Sequence, residues 1–470
     1  MQAKLLAWGL APVHLNAMLS TLLIIAGALS LAAWIYLLAA NGGFWRVRGL
    51  TLATPSNCST ATQNARVVVV IPARNEAGTI GRTVRSLLAQ QWAGELHIIL
   101  VDDNSTDGTA VAAQGALSLA DPMQAKEACM GHQGNVADGT PHASKGGLHG
   151  LPAWPQANTT PPHINAEKRG ANVGHPTAAS NRESNARSLT IIQGQPLPAG
   201  WSGKMWAVHQ GVQQARTLAP DFLLLTDADI VHAPGSVAGL VARADSGYDL
   251  VSLMVRLHCR SLAERLLIPA FVFFFFMLYP PRWIADPRRK TAGAAGGCIL
   301  IRPEALTRAG GIEAIRHEII DDCALAREVK RSGGRVWLGL AEETASVRPY
   351  ETFGEIGRMI ARTAFNQLQH SALMLAGALV GLTLVYLVPI ALLFAQPPLA
   401  RVLGWLAWLL MAMCYLPMVR FYRLLPAWAL ALPASAAFYM GATVVSAMNY
   451  WSGRGGQWKG RAQDVTPTKT

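Results

Sequence analysis

Charge is scarce in this chain. Only 14% of its 470 residues are Asp, Glu, Lys or Arg, against about 25% in an average soluble domain. The shortfall comes mainly from long uncharged tracts near both ends. Cysteine pairing is also missing. Cys58, Cys129, Cys259, Cys298, Cys323 and Cys414 form no CxxC pair and no Cys/His ligand spacing. That argues against a disulfide framework or a zinc site and fits a reduced, cytoplasmic catalytic part. No long Lys/Arg tract is interleaved with aromatics, so the net charge of +12 does not point to nucleic acid. Basic residues beside apolar segments fit a cytoplasmic membrane face and an anionic substrate instead.

Long hydrophobic runs are abundant. Leu15 to Ala40 carries no charge over 26 residues, enough to cross a hydrocarbon core of roughly 30 Å. It is too long for the apolar part of a signal peptide, so residues 1–45 are expected to be a retained anchor. Arg46 and Arg48 follow it, which places the next domain in the cytoplasm by the positive-inside rule. Three further tracts, near 372–395, 401–418 and 424–447, predict membrane helices within 371–450, followed by a basic tail, 451–470, with Arg454, Lys459 and Arg461. If all three span, that tail lies opposite the catalytic domain, against the same rule.

Between these ends the pattern is α/β, over residues 60–370. RVVVVI (66–71), LHIILV (96–101), LTIIQG (189–194), DFLLLT (221–226) and DLVSLMV (249–255) read as buried strands. Helical periodicity between several of them, as in GTIGRTVRSLLAQQ (78–91), predicts a Rossmann-like, mostly parallel sheet covered on both faces. Two segments break the rhythm. Residues 113–188 are rich in Gly, Ala, Asn, His and Pro, and read as a low-complexity, disordered insertion. Its histidines, among them His132, His142, His149 and His163, lack metal-site spacing. Residues 262–281 include the apolar LLIPAFVFFFFMLYPP, and DPRRK (286–290) follows. A buried core helix is one reading. The preferred one is an interfacial segment with its aromatics in lipid and the cations at headgroup phosphates.

The chemistry sits at strand ends. The first strand runs into IPARNE, where Pro72 cannot continue the ladder, and the second into VDDNSTDGT. Asp102 and Asp103 therefore stand at a carboxyl end, where open α/β sheets bind ligands. They either cap the next helix or accept hydrogen bonds from a nucleotide. FLLLTDADI follows, with Asp227 and Asp229 one residue apart. In an extended segment both point to one side and could flank a divalent cation bound to a diphosphate. If the chain bends, one would coordinate and the other orient; a bland polar strand exit is the alternative. Farther on, Asp321 and Asp322 precede a helix, EIIDDCALAREVKR. They either favour the helix dipole or supply a base that takes a proton from an acceptor hydroxyl.

IPARNE, VDDNSTDGT, TDAD, GGCILIRPEAL (296–306) and IDDCAL together resemble family-2 glycosyltransferases of the GT-A fold, over about residues 66–370 less the insertion. PLPAGWSGKMWAVHQG (196–211), LLIPAFVFFF, DPRRKTAGAAGGCIL and RTAFNQLQHS (362–371) are similar to bacterial hopanoid-biosynthesis-associated membrane glycosyltransferases. The resemblance implies a nucleotide-sugar donor, a lipid acceptor such as a hopanoid, and a divalent metal, Mg2+ or Mn2+. It implies a multi-pass protein of the bacterial inner membrane. Asp102 or Asp103, with Pro72 and Glu76, would contact the nucleotide. Asp227 and Asp229 would hold the metal and the diphosphate, and Asp322 would be the base of an inverting displacement. Processive relatives carry QxxRW, where this chain has MIART (359–363). Arg362 matches but the Trp is absent, so transfer of one sugar is expected rather than polymerisation. Arg362 and Lys204 are candidate cations for the diphosphate. Two other readings stay open: a polyprenyl-phosphate sugar transferase, and a non-catalytic membrane scaffold or transporter.

Overall fold

The computed structural model describes residues 2–52, 64–118, 187–453, 457–458 and 461–462. The bulk of the expected insertion, 119–186, lies outside them, as do its four named histidines and Arg454 and Lys459 of the tail. The insertion is shorter than expected at both ends. Its first residues continue the helix Thr109–Ser118, and its last open the strand Arg187–Gln193.

A single eight-stranded sheet organises the α/β part. Its strands are β1 (Val67–Ala73), β2 (Leu96–Asp102), β3 (Arg187–Gln193), β4 (Phe222–Thr226), β5 (Ile230–Val231), β6 (Leu250–Arg256), β7 (Cys298–Ile301) and β8 (Val336–Ser346), in the spatial order β3-β2-β1-β4-β7-β6-β8-β5. Pairings among β1, β2, β3 and β4, and between β6 and β8, are parallel. β7 runs antiparallel to both neighbours, and β5 antiparallel to β8. The five expected strands are present, and in β1 the continuous apolar run has the reason anticipated, since all seven residues are buried. β3, expected to be buried, is a half-exposed strand at the sheet edge. Successive residues face opposite ways, so Val67, Val69 and Ile71 join one core and Val68 and Val70 the other.

The helices used below are α1 (Gln2–Ala39), α2 (Ala77–Leu88), α3 (Thr109–Ser118), α4 (Gly203–Arg216), α5 (Ser236–Asp245), α6 (Leu262–Leu278), α7 (Pro281–Ala285), α8 (Pro303–Arg308), α9 (Asp321–Arg331), α10 (Phe353–Ala361), α11 (Ala364–Gln367), α12 (Ala372–Leu382), α13 (Val388–Leu392), α14 (Pro398–Phe421) and α15 (Leu432–Trp451). One face of the sheet carries α2 and α5, through Ile80, Val84, Val237 and Leu240. The other carries α4, and there the backbones come close. A Cβ on Gly211 would stand 2.4 Å from Val70 Cγ1 and 3.0 Å from Val101 Cγ2. Gly211→Val is therefore expected to cost about 1–3 kcal/mol of stability by overpacking, read as a lower thermal midpoint of the detergent-solubilised protein. An unchanged midpoint would mean that α4 can lift off the sheet.

Five helical stretches are long and apolar enough to cross a membrane: Leu15–Ala39, Leu262–Ala285, Ala372–Leu392, Pro398–Phe421 and Pro426–Trp451. Leu15, Leu22, Leu373, Val380, Phe394 and Met413 expose half or more of their surface. Apolar exposure on that scale marks a surface that meets lipid. The chain is a membrane protein.

The segment 262–281 departs from its preferred reading. Its aromatics pack inward rather than standing out at an interface: Phe273 and Phe276 are buried, and Phe274 packs edge-on against Tyr386 and Tyr439. A helix with apolar residues all round is a buried one, and α6 is built into the bundle beside α14 and α15. Its first turn is fixed by a capping box between Ser261 and Glu264. The fully buried Glu264 carboxylate also accepts from His258 Nδ1 at 2.6 Å and from the Tyr350 backbone N–H at 2.7 Å. That network ties a membrane helix to the loop after β8, which reaches the site described next.

Candidate active site

β1, β2, β4 and β8 all end on the same side of the sheet, and the polar strand exits gather there. After β4 the chain bends rather than staying extended, with the Ile230 N–H donating to the Asp227 carbonyl at 3.3 Å. Asp227 and Asp229 consequently meet different partners. Asp227 Oδ1 lies 3.2 Å from Lys204 Nζ, and the same ammonium lies 3.2 Å from Asp321 Oδ2. Lys204 stands in the first turn of α4, where Ser202 caps the helix by accepting from the Met205 N–H. Asp229 Oδ2 accepts from Ser346 Oγ at 2.7 Å and lies 3.4 Å from Arg348 Nε. The Nη2 of that arginine also donates to Glu76, at 2.7 Å from Oε2.

Arg348 is thus a bridge between the loop after β1 and the carboxylate after β4. The sequence reading missed it, since VRPYET contains no motif. Its one signal was the need of Glu76 and Asp229 for a counter-ion. Asp229 and Glu76 raise its pKa against the opposing effect of burial.

At the start of α9, Asp322 is held by two backbone donors. The Gly296 N–H reaches Oδ2 at 2.8 Å, and the Cys323 N–H reaches Oδ1 at 2.7 Å. Burial, and then the adjacent Asp321 carboxylate, push the Asp322 carboxyl up to about 6 despite the pull of Lys204 and these donors. A carboxylate poised near neutrality suits proton abstraction. Burial alone would disfavour the Lys204 charge, but Asp227, Asp321 and Asp322 outweigh it and raise the pKa of the ammonium. Enclosure, with Asp229 nearby, raises the Asp227 carboxyl although Lys204 acts the other way.

These groups line a cavity of about 1200 Å³ shared by Pro72, Glu76, Lys204, Asp227, Asp229, Asp321, Asp322, Arg348 and Arg362. The cavity does not end at the polar groups. It continues between membrane helices along Phe271, Phe274 and Phe275 of α6, Gly381 and Leu382 of α12, and Tyr439 of α15. Asp102 and Asp103, by contrast, are buried beside it without lining it. Asp102 Oδ1 accepts from the Ser105 N–H at 3.0 Å, fixing the loop before α3 without capping that helix, while the Asp103 carbonyl accepts from Arg74 at 2.6 Å.

Among the described residues no three His, Cys, Asp or Glu side chains cluster as a metal cage. Two hard carboxylates at a cavity wall still suit Mg2+ or Mn2+, because Mg2+ commonly binds through one or two carboxylates plus substrate phosphates.

The family model for glycosyl transferase family 21 matches residues 186–470, and that for glycosyl transferase family 2 matches residues 68–125. With the mostly parallel sheet, these matches establish the GT-A architecture that the motifs implied. No curated protein sequence matches the chain. Among solved structures, a mannosyltransferase of Pyrobaculum calidifontis in complex with GDP-Man and Mn2+ is similar at 17% identity, covering 92% of this chain and 99% of its own, with a TM-score of 0.46. A mannosyl-3-phosphoglycerate synthase of Rubrobacter xylanophilus shares 14% identity over 70% of this chain and 85% of its own, with a TM-score of 0.36. A glucosyl-3-phosphoglycerate synthase of Mycobacterium tuberculosis, in complex with Mn2+, uridine diphosphate and glucosyl-3-phosphoglycerate, shares 16% identity over 66% of this chain and 81% of its own, with a TM-score of 0.33.

Proposed function

The chain belongs to glycosyl transferase family 21, and on that footing we propose that it moves one sugar from a nucleotide-sugar donor to the hydroxyl of a membrane lipid. A hopanoid is the acceptor that the sequence motifs favour. The observation that carries this reading is the continuity of the cavity. One space joins Asp227, Lys204 and Asp322 to an aromatic slot between membrane helices. A soluble acceptor has no need of such a slot. A lipid can lie in it with its head at Asp322 and its tail among α6, α12 and α15.

In the reaction, Asp322 takes the proton of the acceptor hydroxyl. The acceptor oxygen forms its bond to the anomeric carbon from the side opposite the diphosphate, and the bond to the diphosphate oxygen breaks with inversion. Asp227 and Asp229 would hold a divalent ion, which would supply positive charge against the negative charge of the departing diphosphate. Lys204 and Arg362 add cationic charge on the same side, Arg348 keeps Asp229 in place, and the loop of Pro72 and Glu76 borders the nucleotide, while the buried Asp102 and Asp103 hold the neighbouring loop rather than the nucleotide. Arg46 and Arg48, just past the first span, support a site facing the cytoplasm by the positive-inside rule, at the bacterial inner membrane that the resemblance implies.

A polyprenyl-phosphate acceptor is less well served, because its anionic head would approach Asp321 and Asp322. Family 21 is moreover of glycosylceramide type. The test is incubation of the purified protein with membrane lipid extract, several sugar nucleotides and Mg2+ or Mn2+. Mass spectrometry should find a new glycolipid and release of nucleoside diphosphate, both absent with Asp229→Ala. No turnover with any donor would overturn the proposal.

A further inference from the structure

The place where the polar chamber meets the aromatic slot carries an uncharged pair that the reaction above does not use. Tyr279 directly follows α6 and Gln367 ends α11, and Gln367 Nε2 donates to Tyr279 Oη at 2.5 Å. Both line the same cavity as Asp322. The Tyr279 hydroxyl also contacts the thiol of Cys323, the residue that follows the base. Its ring packs against Phe275, 5.1 Å between centroids. It fits there because residue 293 is glycine, whose Cβ would stand 3.0 Å from the ring. Two remote segments, 88 residues apart in sequence, thus deliver a hydroxyl and a carboxamide beside the base.

We propose that Tyr279 and Gln367 form the subsite for the acceptor head, and that this head is neutral and bears a hydroxyl next to the one that reacts. The inference rests on the lipid-hydroxyl reading above. A phenol and a carboxamide together offer donors and acceptors without charge, which matches a diol and not a phosphate. Arg348, Tyr350 and Arg362 line the same cavity, and the reading above gives its cations to the donor's diphosphate. The acceptor side is left to Tyr279 and Gln367. A site built to hydrogen-bond a substrate hydroxyl discriminates strongly against an analogue lacking it, because its own polar groups are then left unpaired.

The experiment uses the full chain in phosphatidylcholine nanodiscs, with the donor that wild type turns over. The acceptor probes are hexadecane-1,2-diol, 1-hexadecanol and a polyprenyl monophosphate. Wild type is expected to prefer the diol. Tyr279→Phe and Gln367→Met should each raise the KM for the diol about tenfold, the worth of one hydrogen bond, and narrow its advantage over hexadecanol. Donor KM and slow donor hydrolysis should stay within about twofold, a split that a structural role would not produce. Unchanged diol KM in both variants, or donor and acceptor constants falling together, would overturn the subsite while leaving the lipid-hydroxyl reading standing. Transfer by wild type to the polyprenyl phosphate alone would overturn both.

Discussion

Replacing Asp322 with Asn is expected to slow sugar transfer about 10²–10⁴-fold, the usual contribution of a positioned base, while nucleotide binding survives. The substitution is nearly isosteric and keeps an oxygen for one of its two backbone donors, Gly296 or Cys323. What it removes is the capacity to take a proton. The pH profile supplies a second readout. The carboxyl is raised to about 6, chiefly by burial and by Asp321, and only its deprotonated form can act as base. Wild-type kcat should therefore rise with pH through about 6 and level off above it, and fall below it as the carboxylate gains its proton. The residual rate of Asp322→Asn should lack that inflection. Initial rates of glycolipid formation at saturating donor, from pH 5 to pH 8, measure both. A kcat within threefold of wild type would give the base to another group. An acid limb that persists in the variant would assign the inflection elsewhere.

Asp321 and Asp322 were reachable as candidates because an acidic pair opening a helix is a local pattern, and the structure places both on the cavity wall. The strands β1 to β4 were legible for a similar reason. β1, β2 and β4, buried on both faces, read as unbroken apolar runs. β3 did so although it is a half-exposed edge strand, and the polar exits announced where a ligand would lie. The antiparallel insertion of β7 between β4 and β6 was not legible, because four residues, CILI, carry no signal of direction. Arg348 was invisible for a deeper reason. Its partner Glu76 is 272 residues away, and nothing local to VRPYET distinguishes it from any surface arginine. The helix α6 shows the limit of hydropathy itself. FVFFFF reads the same whether its neighbours are acyl chains or Tyr386, Tyr415 and Tyr439. The sequence could likewise mark Tyr279 and Gln367 only as residues near an aromatic run and near Arg362. Their meeting is a product of the bundle.

Removal of divalent metal, or Asp227→Ala, is expected to abolish turnover by at least about 10³-fold, since metal stabilisation of a developing phosphoryl charge is worth several kcal/mol. The reasoning begins from charge. The diphosphate of a sugar nucleotide would come into a chamber that already holds Asp227, Asp229, Asp321 and Asp322. Lys204 is shared between Asp227 and Asp321, and Arg348 between Asp229 and Glu76. Both cations are committed to protein carboxylates, so they cannot alone offset the diphosphate and the four acidic groups. A divalent ion held by Asp227 and Asp229, as proposed above, would make up the difference. Asp227, with 35% of its side chain exposed against 13% for Asp229, presents the more open ligand. The two substitutions should therefore differ in kind. Asp227→Ala frees Lys204 to pair with Asp321 alone and should leave the thermal midpoint nearly unchanged while donor binding is lost. Asp229→Ala also strips a partner from Arg348 and Ser346, so it should lower both donor affinity and the midpoint. Titration of the EDTA-treated protein with nucleoside diphosphate, with and without added Mn2+, reads the first effect, and thermal unfolding reads the second. Full activity after chelation, or equal donor affinity with and without Mn2+, would sink the metal assignment and leave Lys204 and Arg362 to carry the leaving group.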